Sequence, residues 1–169
     1  HGGHRRISLQ SVQDYQRRHN LIPASLMHGE ERLRVLVVED EEVIRVMLQH
    51  QFDQWALPLD VVMYSSAMEA LVDMPSLQPQ VLLTDLRMPG VDGFQLLKML
   101  KEHALFTSLA VVVMTGLSDG EIQAQGGLPE GVKVLHKPVD VEWLKGFFDA
   151  LMSVRQINNR RGKEAEANR

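Results

Sequence analysis

Five polar side chains stand at the ends of apolar runs: Glu39 and Asp40 after Arg34-Val35-Leu36-Val37-Val38, Asp85 after Val81-Leu82-Leu83-Thr84, Thr115 closing the run from Ala110 to Met114, and Lys137 after Lys133 to His136. Continuous β-branched runs read as buried parallel strands, and open α/β sheets carry their functional groups at the carboxyl ends of the strands. Three carboxylates, a hydroxyl and an ammonium are thus expected on one edge. Carboxylates held together repel, so they take up protons or bind a hard cation such as Mg²⁺, which prefers octahedral oxygen ligands. A cation beside Lys137 also suits a phosphoryl group. The metal neutralises phosphate oxygens, Thr115 donates to another, Lys137 pairs with a third, and a carboxylate can attack phosphorus in line.

The elements that must position these groups follow from hydrophobic spacing. Val43, Ile44, Met47, Leu48 and Phe52 mark a helix that ends near Trp55, before the Leu57-Pro58 break. A strand from Leu59 to Met63, a helix from Ser66 to Met74 and a loop bracketed by Pro75 and Pro79 come next. After the turn Met88-Pro89-Gly90-Val91-Asp92-Gly93, the residues Phe94, Leu97, Leu100 and Ala104 mark a third helix. Between Leu117 and Leu128 a single core residue, Ile122, stands among Gly120, Gly126 and Gly127, which predicts a short, weak helix. Val141, Leu144, Phe148 and Leu151 mark a final helix with a broad apolar face. Five βα units imply an α/β fold: a parallel sheet with helices on both faces, joined by right-handed crossovers.

Composition narrows the function classes. The 169 residues carry 22 acidic and 18 basic side chains, 44% hydrophobic residues and no cysteine. Disulfide frameworks, thiol nucleophiles and thiolate metal sites are excluded, and the pattern fits a reducing cytoplasm. No apolar run is long enough to span a bilayer as a helix, so membrane insertion is not expected. Residues 1–29 carry a net charge of +3 and residues 33–155 one of −8, so the chain begins with a basic stretch and continues into an acidic domain. The polar tail 156–169 is expected to fray, because its stretch Asn158 to Glu164 mixes charges without apolar residues.

With these residues in view, the segment 32–155 resembles a receiver domain of two-component response regulators. The likeness rests on Val37-Val38-Glu39-Asp40-Glu41, on Leu83-Thr84-Asp85-Leu86-Arg87-Met88-Pro89-Gly90-Val91-Asp92-Gly93, on Val113-Met114-Thr115-Gly116 and on Lys137-Pro138. It implies a flavodoxin-like doubly wound (βα)5 fold with strand order 2-1-3-4-5. It further implies that Asp85 accepts a phosphoryl group from a sensor histidine kinase or a phosphotransfer protein. Mg²⁺, or another divalent ion such as Mn²⁺, would be held by Asp40, Asp85 and the Arg87 backbone carbonyl, with Glu39 in the second acidic position. Thr115 would be the switch hydroxyl and Lys137 a phosphoryl contact, followed by a cis bond to Pro138. Such a domain catalyses only its own phosphoryl transfer and autodephosphorylation, and is otherwise no enzyme.

Three further readings complete the sequence picture. The family usually places Tyr or Phe three residues before the strand-five lysine, and Val134 stands there instead; a different route to the surface of helix four, strand five and helix five is expected, with the weak helix four coupling through order and disorder. Residues 1–31 resemble, over about twenty positions, the wing and last helix of an excisionase-like or MerR-like winged helix-turn-helix domain: His4, Arg5 and Arg6 on a glycine-framed wing would approach DNA phosphates, Ser8 would cap a helix bearing Leu9, Val12 and Tyr15, and the recognition helix would lie upstream of His1. A homodimer through the helix 4–strand 5–helix 5 face or through that N-terminal helix is an expected partner state. Glu41 and Glu42 read as a solvated face, Asp92 as a turn-former, and His136 as an unremarkable surface residue. The competing function class is a phosphorylation-independent interaction module; a phosphohydrolase is disfavoured because Arg87 occupies the position where it needs a second Asp.

Overall fold

A computed structural model describes residues 32–103 and 108–169. The basic wing with His4, Arg5 and Arg6, the helix capped by Ser8, and Ala104 of the third helix lie outside the described residues. Five strands, β1 (Leu33–Val38), β2 (Leu59–Tyr64), β3 (Val81–Thr84), β4 (Ala110–Thr115) and β5 (Lys133–His136), form one parallel sheet in the order β2-β1-β3-β4-β5. This is the order that the resemblance implies. The inner strands explain it: β3 is buried at every residue and β1 and β4 nearly so, which only strands covered on both faces can satisfy. The edge strands are only partly buried, with Asp60 of β2 and Lys133 and His136 of β5 exposed.

Among the described residues five helices connect or follow the strands. In α1 (Glu42–Trp55) Leu48 and Phe52 are buried one turn apart, whereas Val43, placed on the apolar face by its spacing, is 79% exposed. The helix α2 (Ala67–Leu77) continues past the break expected before Pro75. Proline in the last turn forfeits one intrahelical bond, and Gln78 N, donating to Met74 O at 2.9 Å, closes the end in a left-handed conformation (φ 45°). The helix α3 (Gly93–Lys101) begins at Asp92, whose carboxylate accepts from Gln95 N while Gln95 Oε1 accepts from Asp92 N. Asp92 is thus a helix cap. The helix α4 (Asp119–Ala124) has only six residues, with Ile122 buried, in keeping with the weak helix read from the glycines.

The described chain divides into two compact units, one ending at Pro138 and one of residues Val139–Arg169. The second is built by α5 (Val141–Ala167), capped by Asp140, with Leu144, Phe148 and Met152 buried. The fraying expected for residues 156–169 is corrected here: the helix runs unbroken to Ala167. Once its first turns exist, each added residue costs no nucleation, and Arg160, Arg161, Lys163, Glu164 and Ala165 are good helix formers that need no buried face. Among the described residues no helix is long and apolar enough to cross a membrane.

Within the first unit, Leu36, Val38, Leu82, Val111 and Val113 pack with Ala70 and Met74 of α2 and Leu96, Leu97 and Leu100 of α3 in one apolar cluster. Gly93 ties this core to the sheet edge. A Cβ there would stand 2.1 Å from Asp85 O and 2.7 Å from Leu86 Cα, both backbone atoms, and Gly93 N donates to Leu86 O at 3.0 Å. A Gly93→Ala substitution is therefore expected to destabilise the fold by about 1–3 kcal/mol in urea unfolding, because the backbone that must give way is packed on both sides; unchanged stability would show that the loop after β3 yields freely.

Candidate functional site

Parallel pairing brings the strand ends to one edge. Val38 lies opposite Thr84 in the register, and the ladder extends one residue further, with Glu39 N donating to Tyr64 O at 3.0 Å and Asp85 N to Val38 O at 3.1 Å. On the far side Thr115 pairs with His136, and Lys137 N donates to Thr115 O at 2.7 Å. Glu39, Asp85, Thr115 and Lys137 are therefore placed by main-chain hydrogen bonds before any side chain acts. The Lys137–Pro138 peptide is cis.

The side chains then converge. The Lys137 ammonium lies 2.9 Å from Asp85 Oδ2, 3.1 Å from Glu39 Oε2 and 3.1 Å from Glu41 Oε1. The other Asp85 oxygen, Oδ1, accepts from Leu86 N at 2.6 Å and Arg87 N at 3.1 Å, so the carboxylate is held in one plane. Glu39 is fully buried; its Oε1 accepts from Glu41 N at 3.1 Å, while Oε2 has no hydrogen-bond partner and meets Lys137 only as an ion pair. Carboxylate oxygens of Glu39, Asp40 and Asp85 can all come within 4.8 Å of one another. Such hard oxygen donors, one of them buried without a hydrogen bond, fit a small divalent cation such as Mg²⁺.

Burial sets the electrostatics. Desolvation raises the Glu39 carboxyl from 4.5 to about 7, although the Glu41 amide and the Lys137 ammonium both favour its charged form. For Lys137 burial works to lower the ammonium, but the carboxylates of Asp85, Glu39 and Glu41 around it outweigh that and push it above its ordinary range.

Thr115 is fully buried, and its hydroxyl accepts from Leu117 N at 3.1 Å, turned to its own loop. Arg87 enters the site through its amide, while its guanidinium lies 3.7 Å from Glu121 across exposed surface. Two residues depart from their sequence reading. Glu41, read as solvated, shares Lys137, and His136, read as unremarkable, has its Nδ1 2.9 Å from Leu117 O and its Nε2 3.1 Å from Asp119 Oδ1. Arg45 was missed altogether. Its Nη1 donates to the carbonyls of Glu39 at 2.6 Å and Asp40 at 2.8 Å, pinning the acidic loop from the first turn of α1. An arginine one helical turn behind a run of four acids is the signal that could have found it.

The pH dependence follows from Glu39. Its folded form takes up a proton between about pH 4.5 and 7 that the unfolded form does not, so its contribution to stability is present at low pH and is lost as pH rises through 7. A divalent ion competes with that proton. Saturating Mg²⁺ is accordingly expected to stabilise the chain more at about pH 8 than at about pH 6 in thermal unfolding, and Glu39→Gln to flatten the difference; equal stabilisation at both pH values would contradict the assignment.

Comparison with known proteins agrees with this geometry. The family model of the response regulator receiver domain matches residues 35–148, more than half of the chain. The DNA-binding transcriptional regulator NtrC of Proteus hauseri is 33% identical over 108 residues, covering 64% of this chain and 22% of that protein. The response regulator Rre1 of Synechocystis sp. is 32% identical over 138 residues, covering 80% of this chain and 58% of Rre1. The chain thus spans about a fifth of the length of the one and under two thirds of the other. Among solved structures, a two component transcriptional regulator AraC from Clostridium phytofermentans matches with a TM-score of 0.61 and 26% identity over 76% of this chain and 98% of that one. Sheet order, strand-end chemistry and sequence coincide, and the chain belongs to the response regulator receiver domain family.

Proposed function

We propose that the chain is a phosphorylation switch of the cytoplasm, in which Asp85 accepts a phosphoryl group from a phosphohistidine on a sensor histidine kinase or phosphotransfer protein. The observation that carries the reading is the charge balance at the sheet edge: Lys137 is one cation facing Glu39, Glu41 and Asp85, with Asp40 beside them. That surplus of negative charge repels a phosphoryl group unless a divalent cation joins it. Glu39, Asp40 and Asp85, with the Arg87 carbonyl, would hold Mg²⁺ or Mn²⁺, which when bound neutralises phosphoryl oxygens.

The chain's own residues do the rest. With Oδ1 anchored by the Leu86 and Arg87 amides, Oδ2 of Asp85 is the oxygen that attacks phosphorus, forming the acyl phosphate while the P–N bond to the donor histidine breaks. Lys137 passes from the carboxylates to a phosphoryl oxygen, and Thr115 exchanges Leu117 N for another. The buried position of Asp85, 4% exposed, limits attack by water on the product. The new anion then shifts the population of conformations and so controls an output, which we take to be transcriptional, as it is for the DNA-binding transcriptional regulator NtrC. DNA contacts through His4, Arg5 and Arg6 belong to this reading.

One observation favours a second reading. At position 134, where the family has its aromatic, Val134 packs against the apolar cluster, which suits a constant interaction surface. Intact mass after incubation with acetyl phosphate and Mg²⁺ separates the two. The switch reading expects a gain of one phosphoryl mass, lost in Asp85→Asn and on chelation; no gain, together with no beryllofluoride binding, would favour the phosphorylation-independent module.

A further inference from the structure

Strand β5 ends in a side chain that the phosphoryl chemistry does not use. His136 shares its face of the sheet with Val134, since residues two apart in a strand point the same way. Val134 packs against the apolar cluster that contains Leu117 and Ile122, so this face looks toward α4. His136 stands one pleat nearer the functional edge, and its ring closes on the turn that joins β4 to α4. Its Nδ1 lies 2.9 Å from Leu117 O and its Nε2 3.1 Å from Asp119 Oδ1. A carbonyl and a carboxylate only accept, so the imidazolium satisfies both contacts, and the neutral ring keeps the bond to Leu117 by holding its proton on Nδ1.

Leu117 is the link. It is 1% exposed, and while its carbonyl accepts from His136 its amide donates to Thr115 Oγ1 at 3.1 Å. Ring, carbonyl, amide and hydroxyl form a continuous path from β5 to the Thr115 hydroxyl. The Leu117 and Ile122 side chains anchor the turn in the apolar cluster, but its polar link through Arg87 is weaker. The Arg87–Glu121 pair spans 3.7 Å between side chains that are 71% and 54% exposed, and α4 itself is a single six-residue element.

We propose that His136 is the positioning residue that keeps the Thr115 hydroxyl on Leu117 in the resting chain, and that Thr115 reaches a phosphoryl group on Asp85 only as the ring lets go of the turn. The inference rests on the reading of Asp85 as phosphoacceptor. It gives β5 a polar tether to the switch loop at a site where Val134 supplies no ring.

The test compares the full chain with His136→Ala, which removes both contacts, and His136→Asn, whose amide nitrogen stands near the place of Nδ1 and retains the donor to Leu117. The readouts are amide exchange at Leu117 without ligand and the affinity for beryllofluoride in Mg²⁺. Losing one part-buried hydrogen bond is worth on the order of fivefold in such an equilibrium. His136→Ala is therefore expected to speed Leu117 exchange and to tighten beryllofluoride binding by roughly fivefold, because the competing resting state is weakened. His136→Asn should restore most of both. A merely structural role predicts lower stability with unchanged or weaker beryllofluoride binding, and that result would overturn the proposal while leaving the phosphoacceptor reading intact. His136→Asn behaving as His136→Ala would overturn the assignment of the Nδ1 bond. Should His136→Ala fail to fold, Asp119→Ala, at a side chain 87% exposed, cuts the outer contact alone and must shift beryllofluoride affinity in the same direction. A wild-type chain that neither binds beryllofluoride nor gains phosphoryl mass would overturn the phosphoacceptor reading itself, and this inference with it.

Discussion

Lys137 brings one positive charge to an edge where Glu39, Glu41 and Asp85 set three carboxylates within 3.1 Å of it. Burial makes that arrangement consequential. In water an exposed ion pair contributes little, but Glu39 is fully buried and Asp85 nearly so, and an unpaired charge at either place would be costly. The ammonium therefore holds together an acidic cluster that would otherwise repel itself apart. Glu39 shows how incomplete the compensation is, since its carboxyl is still pushed up to about 7. A site held in this state, short of positive charge and rich in oxygen donors, could hold a divalent cation.

The sheet is what allows the cluster to exist. The main-chain bonds from Asp85 N to Val38 O and from Lys137 N to Thr115 O fix the strand ends regardless of side-chain repulsion, and the apolar inner strands anchor them in the core. Arg45 adds a second restraint by binding the carbonyls of Glu39 and Asp40, and Gly93 a third by admitting the close approach of α3 to the Asp85 carbonyl. Rigidity on this side contrasts with the other. The β4–α4 turn carries Thr115 into a six-residue helix that is anchored by the buried Leu117 and Ile122 side chains and by polar contacts from His136 and Arg87. The Thr115 hydroxyl itself is held by one hydrogen bond, from Leu117 N, so reorienting that side chain costs a hydrogen bond and need not disturb the Leu117 side chain in the core.

Much of this was legible in the sequence. Uninterrupted runs such as Val81-Leu82-Leu83 cannot face water, so they declared the buried parallel strands, and the residues that stop those runs named Glu39, Asp40, Asp85, Thr115 and Lys137. Helix spacing and glycine content identified the weak α4, and Asp92 could be read as a turn-former because Asp before Gly at a loop end has a local mechanism, though its role as helix cap was not read. These are short-range properties: each depends on a few neighbouring residues and on burial in general.

The partnerships were decided by the tertiary structure. Nothing within ten residues of Glu41 says that it shares Lys137, which lies 96 positions away, and nothing near His136 says that its ring reaches Leu117 and Asp119. The end of the final helix also escaped, because a polar segment that frays when alone extends readily from a helix already nucleated by Leu144 and Phe148. Sequence periodicity reports which face of an element is buried and where a strand must stop; which side chains meet there depends on strand order and register, and those are set by the packing of the whole sheet.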